Sequence, residues 1–589
     1  MNLEGLLSVL WPAALVLPLL LAAGMTYKGT RALSIALTPL SPLPALGLAV
    51  FGEDAGVDLP YILIGMSLGL TDATRVFLLF TALLWTIAAV YARGYMANDY
   101  RQPRFFAFFL ITMTGNLGLI MSRDLASFYL FFSLMSFFAY GMVVHEATEK
   151  ARKAAHVYLI MTILAEACLL PAVLITAGVT GTIDLGAVPA GLAGSEARDT
   201  VVLLATLGFG VKAGAFTLHL WLPLAHPAAP TPASAVLSGT MIKAGLLGWM
   251  LLIPAGEVPM PFWGVLFMAA GLVAAFYGVL VGLTQGQPKT ILAYSSISQM
   301  GFMTAVLGAA IAVPEAWPVA LFAIPIYAAH HALIKGALFL GVGVAERTEE
   351  SRHRFQRLLV IGGLVLAALA LAGAPLTSGA AAKDYLKGIT DLAPLPWDNV
   401  LYSGLDLAAV GSTLIMARFL FAVWPPAGGQ EQRPPALLFV PWLVSVGGVA
   451  ALVLFLPETL AELPGLLLTF EALWPLAAGV LLVTVAWYLD RRFGGKPRER
   501  LVPAVPEGDL LIPVTRSLSL VRRGWKSHAA PSLERSVKFV TDQGEAYASE
   551  LVKIRTAADR LESWAQVWIV AGALALMLVL TVLALSVLV

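Results

Sequence analysis

Charged side chains and cysteines are both scarce in this chain. Only 12% of its 589 residues are Asp, Glu, Lys or Arg, about half the share that soluble domains carry. The single cysteine, Cys168, excludes an intrachain disulfide, a thiolate metal cage and a cysteine-ligated iron–sulfur cluster within this chain. No nucleotide-binding loop, metal-ligand cluster, nucleophile–base set or basic patch interleaved with aromatic residues stands out. The sequence therefore predicts no catalytic residues, no cofactor, no bound metal and no nucleic-acid partner.

Apolar residues make up 59% of the sequence, and the mean hydropathy is +0.83. Apolar runs of about 20 residues, the length of a helix that crosses a bilayer, recur along the whole chain. We therefore predict an all-α polytopic membrane protein with about 16 transmembrane helices. The predicted spans are 4–25, 32–51, 71–91, 105–122, 125–145, 155–177, 200–222, 232–254, 261–283, 289–311, 319–344, 358–386, 401–424, 437–456, 471–489 and 565–588. The first run lacks a basic n-region and is interpreted as a span rather than a signal peptide.

Basic residues are concentrated in the loops that follow odd-numbered spans. Lys28 and Arg31 follow the first span and Arg491 and Arg492 follow the fifteenth, whereas the second loop carries acidic residues such as Glu53. The positive-inside rule therefore predicts cytoplasmic odd loops and two termini on the outer side of the cell (inner) membrane.

One long segment, 490–563, is too polar to span a membrane. It is rich in Pro and Gly at first, and from about Ser532 onward apolar residues such as Leu533, Val537 and Leu551 recur at helical spacing. The pattern predicts a cytoplasmic amphipathic helix, followed by an anchoring span in 564–589. Two interpretations stay open: a helix that lies in the membrane interface, or a lateral brace that packs on partner subunits.

Several ionisable residues lie inside the predicted spans, where a charge is costly. Glu166 is near the centre of VYLIMTILAEACLLPAVLIT, and Lys243 lies within SAVLSGTMIKAGLLGWM. Lys212 is roughly 15 Å from either end of its span, too far for its ammonium to reach water easily. His331 and Lys335 are four residues apart and so share one helix face.

Lys383 and Asp384 complete this series, in LAGAPLTSGAAAKDYLKGI. A structural pair or a polar contact between helices would explain any one of these residues. Together they favour a proton path, because a buried lysine can approach neutrality and histidine titrates near pH 7. Helix interruptions at 223–232 and 375–379 are typical of inverted-repeat transporters.

The stretch HLWLPLAHPAAPTPASAVLSGTMIKAG, from His219 to Gly245, resembles the signature of antiporter-like proton-translocating membrane subunits. Such subunits occur in respiratory complex I, in Mrp-type cation/proton antiporters and in group 4 membrane hydrogenases. The residues of this stretch are most similar to those of the hydrogenase branch. Further matches, in the expected order, are YARGYM (91–96), QPKTILAYSSISQMGF (287–302), HALIKGALFLGVG (331–343) and APLTSGAAAKD (374–384). The resemblance covers roughly residues 60–425.

The resemblance implies two inverted five-helix repeats, with broken seventh and twelfth helices. The first repeat would comprise 105–254 (helices 4–8) and the second 261–424 (helices 9–13). Helices 1–3 would lie in 1–104 and helices 14–15 in 425–489. The amphipathic helix in 490–563 resembles the lateral helix of the longest antiporter-like subunit of complex I.

The resemblance also implies a proton relay through Lys212, Lys243, His331, Lys335 and Lys383. We add Glu166 to this relay, from its position inside an apolar run. Lys212 matches the central lysine of the broken seventh helix, and Lys243 matches the eighth-helix lysine that links two half-channels. Lys383 matches the lysine that ends the relay. His219, just before the WLP turn, is an auxiliary candidate for capping or proton transfer, and Asp384 is another.

Two positions depart from the family pattern. Where the fifth helix usually reads FWEL, this chain reads FFSL, so Ser133 replaces the glutamate that normally pairs with the seventh-helix lysine. Leu224 replaces the acidic residue that normally follows WLP. Glu166, in the adjacent helix, is the candidate to supply the missing carboxylate to Lys212. Alternatively, Glu166 bonds a neighbouring backbone group or hydroxyl, or stays protonated as a donor.

Three functions are compatible with these features. The first is a proton-conducting subunit of a multi-subunit energy-converting complex, with other membrane subunits and a soluble redox or driving module as partners. The second is a subunit of a cation/proton antiporter or of a proton-coupled inorganic-carbon uptake system. The third is a proton-inert scaffold, which the retained lysines argue against.

Overall fold

The computed structural model describes residues 3–52, 56–62, 65–348, 354–424, 435–455, 470–493 and 505–508, and within them the chain is almost wholly helical. The helices are α1 Leu3–Gly24, α2 Lys28–Leu37, α3 Leu43–Phe51, α4 Asp72–Tyr95, α5 Gln102–Met121, α6 Leu125–Val143, α7 Glu149–Thr180, α8 Val188–Ala193, α9 Arg198–Ala213, α10 Leu222–Ala228, α11 Thr231–Val236, α12 Ile242–Leu252, α13 Pro261–Leu283, α14 Pro288–Ala312, α15 Trp317–Thr348, α16 Arg354–Ala372, α17 Ser378–Thr390, α18 Trp397–Val423, α19 Ala436–Ala451 and α20 Phe470–Phe493. Shorter elements are a π-helical turn at Leu237–Met241, 3₁₀ turns at Thr38–Leu40, Pro314–Ala316 and Leu452–Phe455, and strands β1 Val57–Leu59 and β2 Met66–Leu68.

Twelve helical segments in the described ranges are long and apolar enough to cross a membrane. This confirms the predicted all-α polytopic architecture. The sequence after 493, which includes the predicted amphipathic helix and the predicted last span 565–588, lies outside the described residues apart from 505–508.

The two strands form a small antiparallel hairpin between α3 and α4, with Val57 opposite Leu68. Its second strand is tied to the start of α6, because the backbone N–H of Ser67 donates to the Asp124 carboxylate at 2.9 Å. The same carboxylate accepts from the backbone N–H of Ser127 at 2.8 Å and so caps α6. The hairpin therefore covers one end of the helical bundle.

Helix α14 lies at the centre and is enclosed on all sides. Helix α13 packs directly on it because small residues let the two backbones meet. A Cβ added to Gly271 would lie 2.4 Å from the backbone nitrogen of Ala305. This close contact fixes the side of α14 that faces α13 and leaves its other faces to the polar residues described below.

Two helices are broken close to the predicted positions. After α9, Gly214 and Thr217 both have left-handed backbones, with φ of 71° and 70°. After α16, Gly373 and Leu376 also have left-handed backbones, with φ of 87° and 66°. The side chain of Thr377 then caps α17. The first irregular stretch is 214–221, earlier than the predicted 223–232, because Gly214 adopts the left-handed conformation that ends a helix at low cost.

Candidate functional site: a line of buried polar residues

The Glu166 carboxyl is buried between α7 and α6. The residue is 8% exposed, and its Oε2 accepts a hydrogen bond from the Ser133 hydroxyl at 2.7 Å. Its Oε1 is buried without a hydrogen-bond partner among the described residues. Glu166 therefore points into the protein and meets Ser133 of α6.

Lys212 occupies the last turn of α9, directly before the helix break. Its ammonium donates to the Tyr158 hydroxyl at 2.9 Å, and that hydroxyl donates to the Ser136 carbonyl at 2.7 Å. The ammonium also lies 5.8 Å from the centre of the Trp221 ring. Lys212 is thus held by a phenol and an aromatic face, which suit both its charged and its neutral form.

Glu166 and Lys212 interact electrostatically, but they form no salt bridge in the described part of the chain. A cavity lies beside Lys212, and the centre of a water molecule can occupy about 10 Å³ of it. That is the size of a site for a single water. The lining residues of the cavity are Phe132, Ser136, Tyr158, Thr162, Ala165, Val211, Lys212 and Trp221. Ala165, which lines the cavity, is the residue before Glu166 in the sequence. A water molecule in the cavity would therefore shorten the distance that a proton must cross between Glu166 and Lys212.

Lys243 is held by the π-helical turn that precedes α12. Its ammonium donates to the Ser238 carbonyl at 2.6 Å. The Ser238 hydroxyl in turn shares a hydrogen bond of 2.8 Å with the Ser296 hydroxyl of α14. Because a π-turn releases carbonyls from the regular helical pattern, it can present Ser238 to the lysine.

Lys335 joins the same set of contacts on the same face of α14, because Leu292, Ser295 and Ser296 are three and four residues apart. Its ammonium donates to the Leu292 carbonyl at 2.8 Å and also to the Ser295 hydroxyl. The Ser296 hydroxyl approaches the same Leu292 carbonyl at 3.0 Å. Contacts with Ser238, Ser296 and Leu292 therefore link Lys243 to Lys335, and the Ser238 and Leu292 carbonyls act in this link only as acceptors.

His331 lies one turn before Lys335 on α15 and is fully buried. Both of its ring nitrogens lack a hydrogen-bond partner among the described residues. It interacts electrostatically with Lys243 and Lys335. The structure thus brings Lys243, His331 and Lys335 together.

Lys383 lies apart from that group, beside the second helix break. Its ammonium donates to the Ala372 carbonyl at 2.7 Å. A Cβ at Gly373 would come within 2.8 Å of that ammonium, so the glycine leaves the room that the lysine occupies. His330 lies between the two sites: its Nδ1 is 2.9 Å from the Ser378 hydroxyl at the start of α17.

The two auxiliary candidates lie away from the central lysines. His219 is buried against aromatic rings, 5.3 Å from that of Tyr277, and both its nitrogens lack partners among the described residues. Asp384 is exposed on α17, and its side chain takes part in a polar or electrostatic contact. In the described ranges, no three His, Cys, Asp or Glu side chains gather as a metal site.

Sequence reasoning missed His330, His226 and Lys289. His226 is fully buried on α10 and interacts electrostatically with Lys335, Lys289 and Lys243. Lys289 donates to the Ala229 carbonyl at 3.0 Å. The paired histidines in AAHHALIK and the histidine in LAHPAAP were the available signals, whereas Lys289 lies at the end of a predicted span and resembled an ordinary loop lysine.

Charged groups at the loop ends lie on the side where α4 ends and α5 begins. The His145 ring is 2.8 Å from the Asp99 carboxylate. Burial lowers the pKa of His145 below its usual value, although the contact with Asp99 opposes this. Burial would raise the pKa of Asp99, but hydrogen bonds from His145 and from the Arg101 backbone N–H hold it below its usual value.

Comparisons with known proteins find similar membrane subunits. Residues 122–392 match the family described as NADH:quinone oxidoreductase/Mrp antiporter, transmembrane. A probable K(+)/H(+) antiporter subunit of Rhizobium meliloti (strain 1021) is 32% identical over 62% of this chain and 38% of its own length. Hydrogenase-4 component B of Escherichia coli (strain K12) is 30% identical over 48% of this chain and 44% of its own.

The chain therefore spans less than half of the length of these two relatives. Among solved structures, the Mrp complex from Dietzia sp. DQ12-45-1b contains a chain with a TM-score of 0.71 and 22% identity, over 96% of this chain and 63% of that one. At this identity the likeness concerns the fold. Residues 122–392 are therefore similar to the NADH:quinone oxidoreductase/Mrp antiporter transmembrane family, and the chain is similar to membrane subunits of antiporters and of hydrogenase-4.

Proposed function

We propose that this chain is the proton-translocating membrane subunit of a multi-subunit energy-converting complex. The observation that carries the proposal is that two fully buried lysines, Lys243 and Lys335, are held near one another by contacts with Ser238, Ser296 and the Leu292 carbonyl. Buried ionisable residues are costly in a membrane protein and usually mark ion pathways. If Lys243 and Lys335 had only a structural role, there would be no reason for both buried lysines to contact the same set of polar groups.

The path would begin in the first repeat at Glu166 and Lys212. Helices α12 and α9 are in direct contact beside Lys212 and Lys243. The backbones are so close there that a Cβ at Gly245 would lie 2.6 Å from the backbone nitrogen of Ala213. His331 and Lys335 would follow, and Lys383 would end the relay. His330 supports this last step, since it interacts electrostatically with both Lys243 and Lys383.

Each lysine would alternate between its ammonium and amine forms. An opposite charge favours the ammonium and a like charge disfavours it, so a proton that arrives at one lysine lowers the proton affinity of the next. Glu166 would supply the opposite charge for Lys212. Its bond to Ser133 supports this role, because that bond places the carboxylate next to the α6 position where the family glutamate is missing.

The finer architecture is part of the proposal. The chain would contain two inverted repeats, 105–254 and 261–424, each with one broken helix, which the interruptions after α9 and α16 support. Both termini would face outward, with 490–563 cytoplasmic and 564–589 an anchoring span of a protein of the cell (inner) membrane. The driving reaction would take place in a soluble partner module, and other membrane subunits would complete the complex.

A role in cation/proton antiport is the second candidate. It is favoured by the similarity to the Rhizobium meliloti relative, whose name describes a probable K(+)/H(+) antiporter. The same buried lysines would then move protons in exchange for a metal cation. The two candidates differ in whether a proton can move without a cation that moves in the opposite direction.

Reconstituted vesicles containing the full chain and a pH-sensitive dye distinguish these candidates. Under an imposed membrane potential, we expect proton uptake that does not depend on a sodium or potassium gradient. Uptake that occurs only with an outward cation gradient would favour the antiporter. If neither condition gives uptake above that of protein-free vesicles, both candidates are wrong.

A further inference from the structure

A second lysine and an aspartate lie next to Lys383, and none of the roles described so far involves them. Lys383 and Lys387 are four residues apart on α17 and share one helix face. The Lys387 ammonium lies 2.5 Å from the Asp406 carboxylate of α18, and their side chains are 18% and 8% exposed. This is a largely buried ion pair between two helices of the second repeat.

The pair is within electrostatic reach of Lys383. Both Asp406 and Lys387 interact electrostatically with the Lys383 ammonium, with opposite signs. The Lys383 ammonium donates its hydrogen bond to the Ala372 carbonyl rather than to a carboxylate. Asp406 is thus paired with Lys387 and also attracts the Lys383 ammonium, and its one carboxylate can neutralise only one ammonium at a time.

We propose that Asp406 is the counter-ion that Lys383 and Lys387 share, and that the two lysines form a paired last step of the proton path. This proposal rests on the proposed function. A proton that reaches Lys383 creates a second ammonium, which draws Asp406 away from Lys387. Lys387, without its counter-ion, then releases one proton to water, so that one proton enters and one leaves with no change in redox state.

The position of Lys387 suits release. It lies one helical turn, roughly 6 Å, closer than Lys383 to the end of α17 at Thr390. Its ammonium also lies 4.6 Å from the centre of the Tyr402 ring, an attraction for the cation that is smaller than that of the lost counter-ion. A proton would therefore leave through the connection between α17 and α18.

The arrangement parallels that of Glu166 in the first repeat. In both halves a lysine lies beside a helix break and a carboxylate comes from a neighbouring helix. The difference is the second lysine, which holds Asp406 in an ion pair, whereas Glu166 is held by the neutral Ser133. On this basis the carboxylate of the second repeat moves between partners and does not serve one lysine alone.

The first test measures proton flux in vesicles with Asp406→Asn, Lys387→Met and the double variant. If the ion pair were only structural, the double variant would regain stability and flux, because no unpaired charge is left buried. We expect instead that all three lose about tenfold or more in flux and that Asp406→Glu restores it. Asp398→Asn, on the same helix, is the matched control and should keep the wild-type rate. Wild-type flux in the double variant would overturn the proposal.

The second test does not depend on transport, so it separates a failure here from a failure of the proposed function. The measurement is the infrared spectrum of the full chain in lipid, with isotope-labelled aspartate. The band of the Asp406 carboxylate is identified as the band that disappears in the Asp406→Asn variant. Lys383→Met should shift that band, because one of the two partners is removed. An unchanged band would show that Asp406 belongs to Lys387 alone and would overturn the proposal even if the chain conducts protons.

Discussion

Ser133 and Glu166 together place one carboxylate at the junction of α6 and α7. The hydroxyl of Ser133 holds Glu166 Oε2 at 2.7 Å, so a carboxylate on either helix would reach nearly the same space. Lys212 would then experience a similar negative charge from either side chain. The identity of the helix matters less than the position of the charge.

Exchange of the two side chains tests this equivalence. Glu166→Gln should lower proton flux in vesicles by about tenfold or more, since it removes a titrating group of the path. The double change Ser133→Glu with Glu166→Ser should restore much of the loss. Ser133→Ala is the matched control, because it removes only a neutral hydrogen bond. If the exchanged chain stays as slow as Glu166→Gln, the carboxylate does not act by position alone.

The contact between His145 and Asp99 predicts how stability depends on pH. The folded pKa of His145 is lowered, so below about pH 6.5 the unfolded chain takes up a proton that the buried ring refuses, and stability falls. The folded pKa of Asp99 is also lowered, so its contribution is present above about pH 4 and is lost as the pH falls through the folded value. Both effects make the protein less stable in acid.

Thermal unfolding of the full chain in detergent, at about pH 7.5 and about pH 5.5, measures the histidine contribution. We expect the wild-type midpoint to fall by about 2 °C or more. His145→Gln keeps a side-chain donor but cannot titrate, so its decrease should be smaller. Asp58→Asn, in the exposed hairpin, serves as control. An equal decrease in wild type and His145→Gln would contradict the assignment.

Some of the site residues were predictable and others were not. Lys243 and Lys335 stand out because a lysine inside an apolar run has few structural explanations. His330 and Asp406 do not stand out, because each follows from a contact between helices that are far apart in sequence. A bond from Glu166 to a neighbouring hydroxyl was one of the predicted alternatives, but its identification as Ser133 depends on the packing of α6 on α7.

At the scale of helices, the π-helical turn at Leu237–Met241 has the clearest functional geometry. It lies between α11 and α12, within a single predicted span. Its Ser238 contacts Lys243 through the carbonyl and Ser296 through the hydroxyl. One residue therefore joins the first half of the path to α14.

Ser238→Ala tests that connection. The variant keeps the carbonyl that holds Lys243 but loses the hydroxyl bond to Ser296, so we expect proton flux to fall several-fold while the fold stays intact. The cost in stability should be near 1 kcal/mol, the usual value for one buried hydrogen bond. Thr304→Ala, which removes a hydroxyl bonded within its own helix, should leave the flux unchanged. Equal flux in both variants would remove Ser238 from the path.

Hydropathy predicted the helices well because a bilayer demands long apolar segments whose backbone groups are satisfied internally. It did not predict the hairpin of β1 and β2, which lies in a loop of mixed polarity. It also misplaced the first helix break, because the prolines after residue 222 are compatible with the short helix α10, whereas Gly214 ends α9. Breaks depend on backbone conformation, which residue composition alone indicates poorly.

The short segment 505–508 is another feature that the sequence does not reveal. Glu507 forms a 2.8 Å ion pair with Lys150 at the start of α7, and the Val505 carbonyl accepts from the Gln285 side chain at 2.9 Å. Gly508 packs on Leu224. A part of the sequence that follows α20 thus contacts α7, α10 and the connection between α13 and α14.

For the whole molecule, the central α14 provides the continuity of the proposed path. One face of this helix, with Leu292, Ser295 and Ser296, accepts or shares hydrogen bonds with Ser238 and with Lys335. Because α14 is enclosed by other helices, these contacts are shielded from lipid and electrostatic effects between them are strong. The lysines of the path can therefore influence one another at the centre of the protein.

Proton uptake by vesicles that contain the full chain with Lys243→Met tests this central claim most directly. Methionine has a similar length but cannot carry a proton, so we expect uptake under an imposed potential to fall to the level of protein-free vesicles. Lys28→Met, in the predicted first cytoplasmic loop, should conduct like the wild type. Undiminished uptake by the Lys243→Met chain, with the amount of folded protein in the vesicles unchanged, would contradict a proton path through the buried lysines.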